Sequence, residues 1–147
     1  MPDEPLTLDQ RDEIMRTLAR LLPAAVLDPW EEIHLTYSAI GDADSVSCTV
    51  LRVDGTTSKV NPPYRATRLL PGLRAGMFEP HKGTWFGLRY VVEQSGEYQV
   101  SFDYDAEPEF DVTLADATYA SDFARFPRDE AHIPSWLKEK LAATSSG

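Results

Sequence analysis

The stretch Ile33-His-Leu-Thr-Tyr-Ser-Ala-Ile-Gly-Asp-Ala-Asp-Ser-Val-Ser-Cys-Thr-Val50 decides the fold class. Ile33, Leu35, Tyr37 and Ala39 alternate with His34, Thr36 and Ser38, the two-residue period of a strand with one buried side. Gly41-Asp-Ala-Asp44 turns the chain, and Val46, Cys48 and Val50 then alternate again. A link this short joins only antiparallel neighbours. Asp54-Gly55 is a two-residue hairpin signal and predicts a third strand over residues 56–60.

The same pattern returns further along. Phe86, Leu88, Tyr90 and Val92 alternate with Trp85, Gly87, Arg89 and Val91. Ser95-Gly96 makes a hairpin turn, and Tyr98, Val100, Phe102 and Tyr104 mark a strand that is expected to be central or well covered. On this parity Trp85 falls on the side opposite Phe86 and Leu88, where it would serve as an interface anchor if that side is open.

Helical segments flank the strands. Thr7 followed by Gln10 is a capping-box pattern, and Ile14, Leu18, Leu21 and Leu22 follow at helical spacing until Pro23. Asn61-Pro-Pro63 breaks the sheet. Leu69, Leu70, Leu73 and Met77 predict a helix within residues 65–77, kinked at Pro71-Gly72 or starting near Leu70 with Pro71 in its first turn. Residues 115–125 and a segment from Pro134 with Trp136, Leu137 and Leu141 are expected to be short helices. The reading is one α+β domain over residues 1–147, with residues 1–6 and 144–147 frayed. It holds a single antiparallel meander of about five strands, with helices over one face.

The 147 residues carry 24 acids against 14 bases, a formal net charge of −10. That balance argues against nucleic acid or an anionic membrane as a direct ligand, since both need clustered Lys and Arg. The acids concentrate after residue 102. Asp103, Asp105, Glu107, Glu109 and Asp111 continue the alternation of the strand before them. In an extended backbone they would form one negative ridge, either solvated or turned toward something positive. Phe110, isolated among these acids, is either an apolar knob for a partner or an anchor tying the ridge to the core.

Catalytic chemistry has little to build on. His34, His81 and His132 make no pair at helical spacing, and Cys48, the single cysteine, sits at an apolar strand position. Asp103, Asp105 and Glu107 have the spacing that opens a calcium loop. Pro108 stands where that loop needs Gly, and Leu114 where it needs Glu. No catalytic base, nucleophile, cofactor or metal is therefore expected. A small carboxylate-metal enzyme at these residues is the rival reading, and a plain interaction module a third. The start Met-Pro-Asp-Glu-Pro carries no signal-peptide pattern and no apolar run reaches membrane-span length, so a cytoplasmic protein is expected.

Taken together, several segments resemble the YezG-like antitoxin family of bacterial immunity proteins, and more narrowly its actinobacterial branch. They are Trp30-Glu-Glu-Ile-His-Leu-Thr-Tyr37, Gly83-Thr-Trp-Phe86, Gly96-Glu-Tyr-Gln-Val-Ser-Phe-Asp-Tyr-Asp-Ala-Glu-Pro-Glu-Phe110, Phe126-Pro-Arg-Asp129 and His132-Ile-Pro-Ser-Trp136. The resemblance spans residues 8–142, and the Pro71-Gly72 interruption departs from it. It implies a non-catalytic protein that neutralises a cognate secreted toxin by one-to-one binding. A basic nuclease is the favoured toxin and an NAD-degrading enzyme an alternative. Asp103, Asp105, Glu107, Glu109, Asp111, Phe110 and Trp85 would then be the partner-binding residues.

Overall fold

The computed structural model describes residues 5–145. Of the ends expected to be frayed, 1–6 and 144–147, residues 1–4 and 146–147 lie outside them, and Thr144 is instead helical, its hydroxyl donating to the Asp116 carbonyl (3.3 Å). Inside, the lead-in is tied down: the Leu6 amide donates to the Gly76 carbonyl (2.9 Å), and the Leu6 side chain fills the space a Cβ at Gly76 would need. Helix α1 (Leu8–Leu21) carries the expected capping box, with Thr7 and Gln10 each accepting the other's amide. It runs into a 3-10 turn over Leu22–Ala25.

The sheet contains β1 (Trp30–Ile40), β2 (Ala43–Arg52), β3 (Thr57–Lys59), β4 (Gly87–Glu93) and β5 (Tyr98–Asp103), in the order β3-β2-β1-β4-β5. All four neighbouring pairs are antiparallel. The turn between β1 and β2 tightens to Gly41-Asp42, where Gly41 takes φ +61°, a conformation glycine adopts without steric cost. The two strand groups join through β1 and β4, so the first strand is the middle one. The strand from Tyr98 is an edge, contrary to expectation, and its Val100 and Phe102 are half-buried.

The middle segment divides into α2 (Tyr64–Thr67) and α3 (Leu69–Gly76), with Pro71 in the first turn of α3. There its missing N–H removes no helical bond. Met15, Leu18 and Leu22 of the N-terminal segment, with Leu70 and Leu73 of α3, cover the inward row of the sheet: Ile33, Leu35, Tyr37, Val50, Leu88, Tyr90 and Val92. The Tyr90 hydroxyl donates to the Met15 carbonyl (2.7 Å), fixing α1 on the sheet.

The C-terminal helices do not share this face. Ile40 follows Ala39 and therefore points the other way. It forms a second core with Phe86, Tyr119 and Leu137, built by α4 (Asp116–Arg125) and α5 (Ser135–Ser145) at one end of the sheet. The rest of that face, with Thr36, Ser45, Ser47, Arg89 and Ser101, is exposed. No helix among the described residues is long and apolar enough to cross a membrane.

Candidate functional site

The acidic run leaves the sheet instead of extending it. Strand β5 ends at Asp103, whose Oδ1 accepts the amides of Asp105 and Ala106, both at 3.0 Å. These backbone bonds, Ala106's first, hold the Asp103 carboxyl below the usual aspartate range. An Asp that caps its own turn ends a strand. The straight ridge predicted from the alternation therefore does not form, and the five acids lie along a looped segment. Each remains exposed.

The loop is held from below. The Tyr104 carbonyl accepts from Arg128 Nη1 (2.8 Å), and the Asp105 carbonyl accepts from Trp136 Nε1 (2.6 Å). Arg128 also donates to the carbonyls of His132 (2.9 Å) and Thr84 (2.7 Å), with its guanidinium 4.6 Å from the centre of the Phe86 ring. Burial pushes this guanidinium's pKa down from its ordinary value. Further along, Phe110 and Leu114 are half-buried against the second core. Phe110 thus acts as the anchor of the loop and not as a free knob. The exposed apolar residue here is Val112, 69% accessible, which the pattern of acids around it concealed.

Trp85 corrects the parity argument most clearly. It is 0% exposed, so it is no surface anchor. Strand β4 begins at Gly87, but Phe86 still bonds both neighbouring strands, its amide donating to the Asp103 carbonyl (2.8 Å) and its carbonyl accepting the Ala39 amide (2.9 Å). The side-chain alternation breaks here, and Trp85 and Phe86 enter separate cores. Trp85 packs 6.0 Å from Tyr37 and 5.4 Å from Phe102, ring to ring, and its Nε1 points at Met77 Sδ (3.3 Å).

Two hollows flank the loop. One, of about 610 Å³, lies over the uncovered sheet face and is lined by Ser38, Ser47, Gly87, Arg89, Ser101 and the 106–109 segment. The other, of about 780 Å³, is bounded by residues 107–114 with Tyr119 and Lys140. Glu107, Pro108 and Glu109 form the wall between them.

Other polar groups form pairs away from the loop. Arg74 and Asp122 form a buried ion pair, and Asp122 Oδ1 also accepts the Gly41 amide (2.8 Å). His34 sits 2.9 Å from Glu32, and His81 2.9 Å from Asp129. Among the described residues, no three His, Cys, Asp or Glu side chains are grouped to hold a metal ion. Cys48 is buried, and burial pushes its thiol up to about 11, away from the thiolate that a nucleophile needs. No protein-family model matches the chain, and no curated protein matches it at a significant level.

Proposed function

We propose that the protein is an immunity protein of the YezG-like kind. It acts in the cytoplasm, without catalysis or cofactor, by binding a basic toxin one-to-one and covering its active site. The observation that carries this reading is the 103–111 loop: five exposed carboxylates on a segment fixed by Arg128, Trp136 and Phe110. Such a loop gains nothing for folding from its five like charges, because they repel. It gains for binding, since a single-sign patch speeds encounter with an opposite charge by about ten- to a thousand-fold. A nuclease cleft, basic so as to hold phosphates, is complementary to it.

The test is co-expression with the toxin encoded by a neighbouring gene. Replacing Asp103, Asp105, Glu107, Glu109 and Asp111 by Asn or Gln keeps the turn acceptor at position 103 and removes the charge. Association should slow, its salt dependence flatten and protection fall. Undiminished protection with an unchanged salt slope would remove the loop from the interface. Failure of the parent protein to inhibit any toxin-encoding neighbour's product would remove the reading itself.

A further inference from the structure

We propose that the hollow between the uncovered sheet face and the 106–109 wall seats an extended, Arg- or Lys-bearing segment of the partner protein. This rests on the immunity reading and says where on the molecule its contact is made.

Four observations converge on that occupant. The first is the floor. Helices α1 to α3 lie on the opposite face and α4 and α5 stop at the end near Ile40, so no element among the described residues covers the middle of this face. Its surface is a set of short hydroxyls, Thr36, Ser38, Ser45, Ser47 and Ser101, around the exposed Arg89, which stands between Thr36 and Ser101 in the register. Hydroxyls accept hydrogen bonds from cationic donors and from a passing backbone, and offer an apolar helix nothing to bury. The second is size. About 610 Å³ falls within the range of small-molecule clefts and leaves room for a side chain or two. In its lining Gly87 carries no side chain, and a Cβ there would already touch Asp103.

The third is charge. Asp103, Glu107 and Glu109 line the hollow against a single guanidinium, Arg89. That excess repels a polyanion and attracts a cation, and a guanidinium brings five donors to carboxylate and hydroxyl acceptors. The fourth is rigidity. The wall is tied on both sides, by the Arg128 and Trp136 hydrogen bonds to the carbonyls of Tyr104 and Asp105 and by Phe110 packed against the second core. It is therefore set before a partner arrives, which lowers the ordering cost of binding.

The test titrates the isotope-labelled full chain with a short Arg-Gly repeat peptide and follows backbone amides by NMR. Expected are shifts at Ser38, Ser47, Gly87, Arg89 and Ser101 together with Glu107 and Glu109. Ser47→Trp with Ser101→Trp, both at exposed strand positions, fills the hollow and leaves every carboxylate in place. It should weaken the peptide at least about tenfold, near 1.4 kcal/mol. Shifts scattered over acids elsewhere, such as Asp9, Asp12 and Asp54, with a silent floor, would overturn the proposal. So would unweakened binding by the filled variant. Should that variant not fold, the shift map of the parent decides alone.

In cells the same variant separates the two claims. If it protects like the parent while the charge-neutralised loop does not, the hollow is wrong and the immunity reading stands. If the peptide seats on the floor but the protein inhibits no toxin, the immunity reading falls and the basic-segment site stands.

Discussion

Arg74 of α3 and Asp122 of α4 meet as a bidentate pair, Nη1 to Oδ1 at 2.6 Å and Nη2 to Oδ2 at 3.0 Å, with both side chains almost wholly buried. Arg74 Nε also donates to the Trp85 carbonyl (2.7 Å), and Asp122 takes the Gly41 amide. One pair thus ties the middle helix, the C-terminal helices, the entry to β4 and the β1–β2 turn. Its ring neighbours are Phe86 and Phe126, 5.7 Å and 5.2 Å from the guanidinium carbon.

Removing one partner strands the other charge in the interior. Asp122→Ala should therefore cost about 3–5 kcal/mol, read by urea unfolding. A cost below about 1 kcal/mol would mean that the pair is solvated in solution.

Trp85 and Phe102 touch each other but differ in burial, the first sealed and the second half-open at an edge strand. Trp85→Ala should lose about 3–5 kcal/mol, the range for emptying a large core site. Phe102→Ala should lose clearly less, since part of its ring is already wet. Equal losses in thermal or denaturant melts would contradict the edge position of β5.

Trp136→Phe keeps an aromatic ring beside Phe86, 5.1 Å from Trp136 in the parent, and deletes the donor to the Asp105 carbonyl. About 0.5–1.5 kcal/mol of stability should go. Amide exchange should quicken in residues 104–111 before it changes in β1. Unaltered exchange in that loop would mean that the bond does not hold it.

The Cys48 thiol has an ordinary value of 9.0, raised to about 11 by burial. The folded state favours its protonated form, so its contribution is complete below pH 9 and disappears as pH climbs through about 11. Stability should decline over that window, and Cys48→Ala should flatten part of the decline. Thiol reagents at pH 8 should label the native protein only as fast as it opens. Rapid labelling would refute the burial.

Much of this architecture is legible in the chain. The alternation of Ile33, Leu35 and Tyr37 and the Thr7–Gln10 cap are local signals, and local signals read true. Two failures share one cause: a period was carried past the end of its strand. Before Gly87 the side-chain alternation breaks, although Phe86 still bonds both neighbouring strands, so the parity of β4 does not carry back to Trp85. Below Asp103 a side chain takes the amides that the next rung would need. Arg74 and Asp122 had no signal at all, and Arg128 stood out only within the Phe126-Pro-Arg-Asp129 segment, with nothing to show its carbonyl partners. Arg74 and Asp122 stand 48 residues apart, and nothing in either neighbourhood announces the other.

Because β1 is the middle strand and β4 its second neighbour, one side of β1 has no partner until the chain has been synthesised past β2, β3, α2 and α3. A nascent chain therefore exposes the open edge of an apolar strand for the whole of that interval. Long-range pairing of this kind is slow and invites intermolecular strand addition. The early three-stranded hairpin unit is the species a chaperone would have to shield.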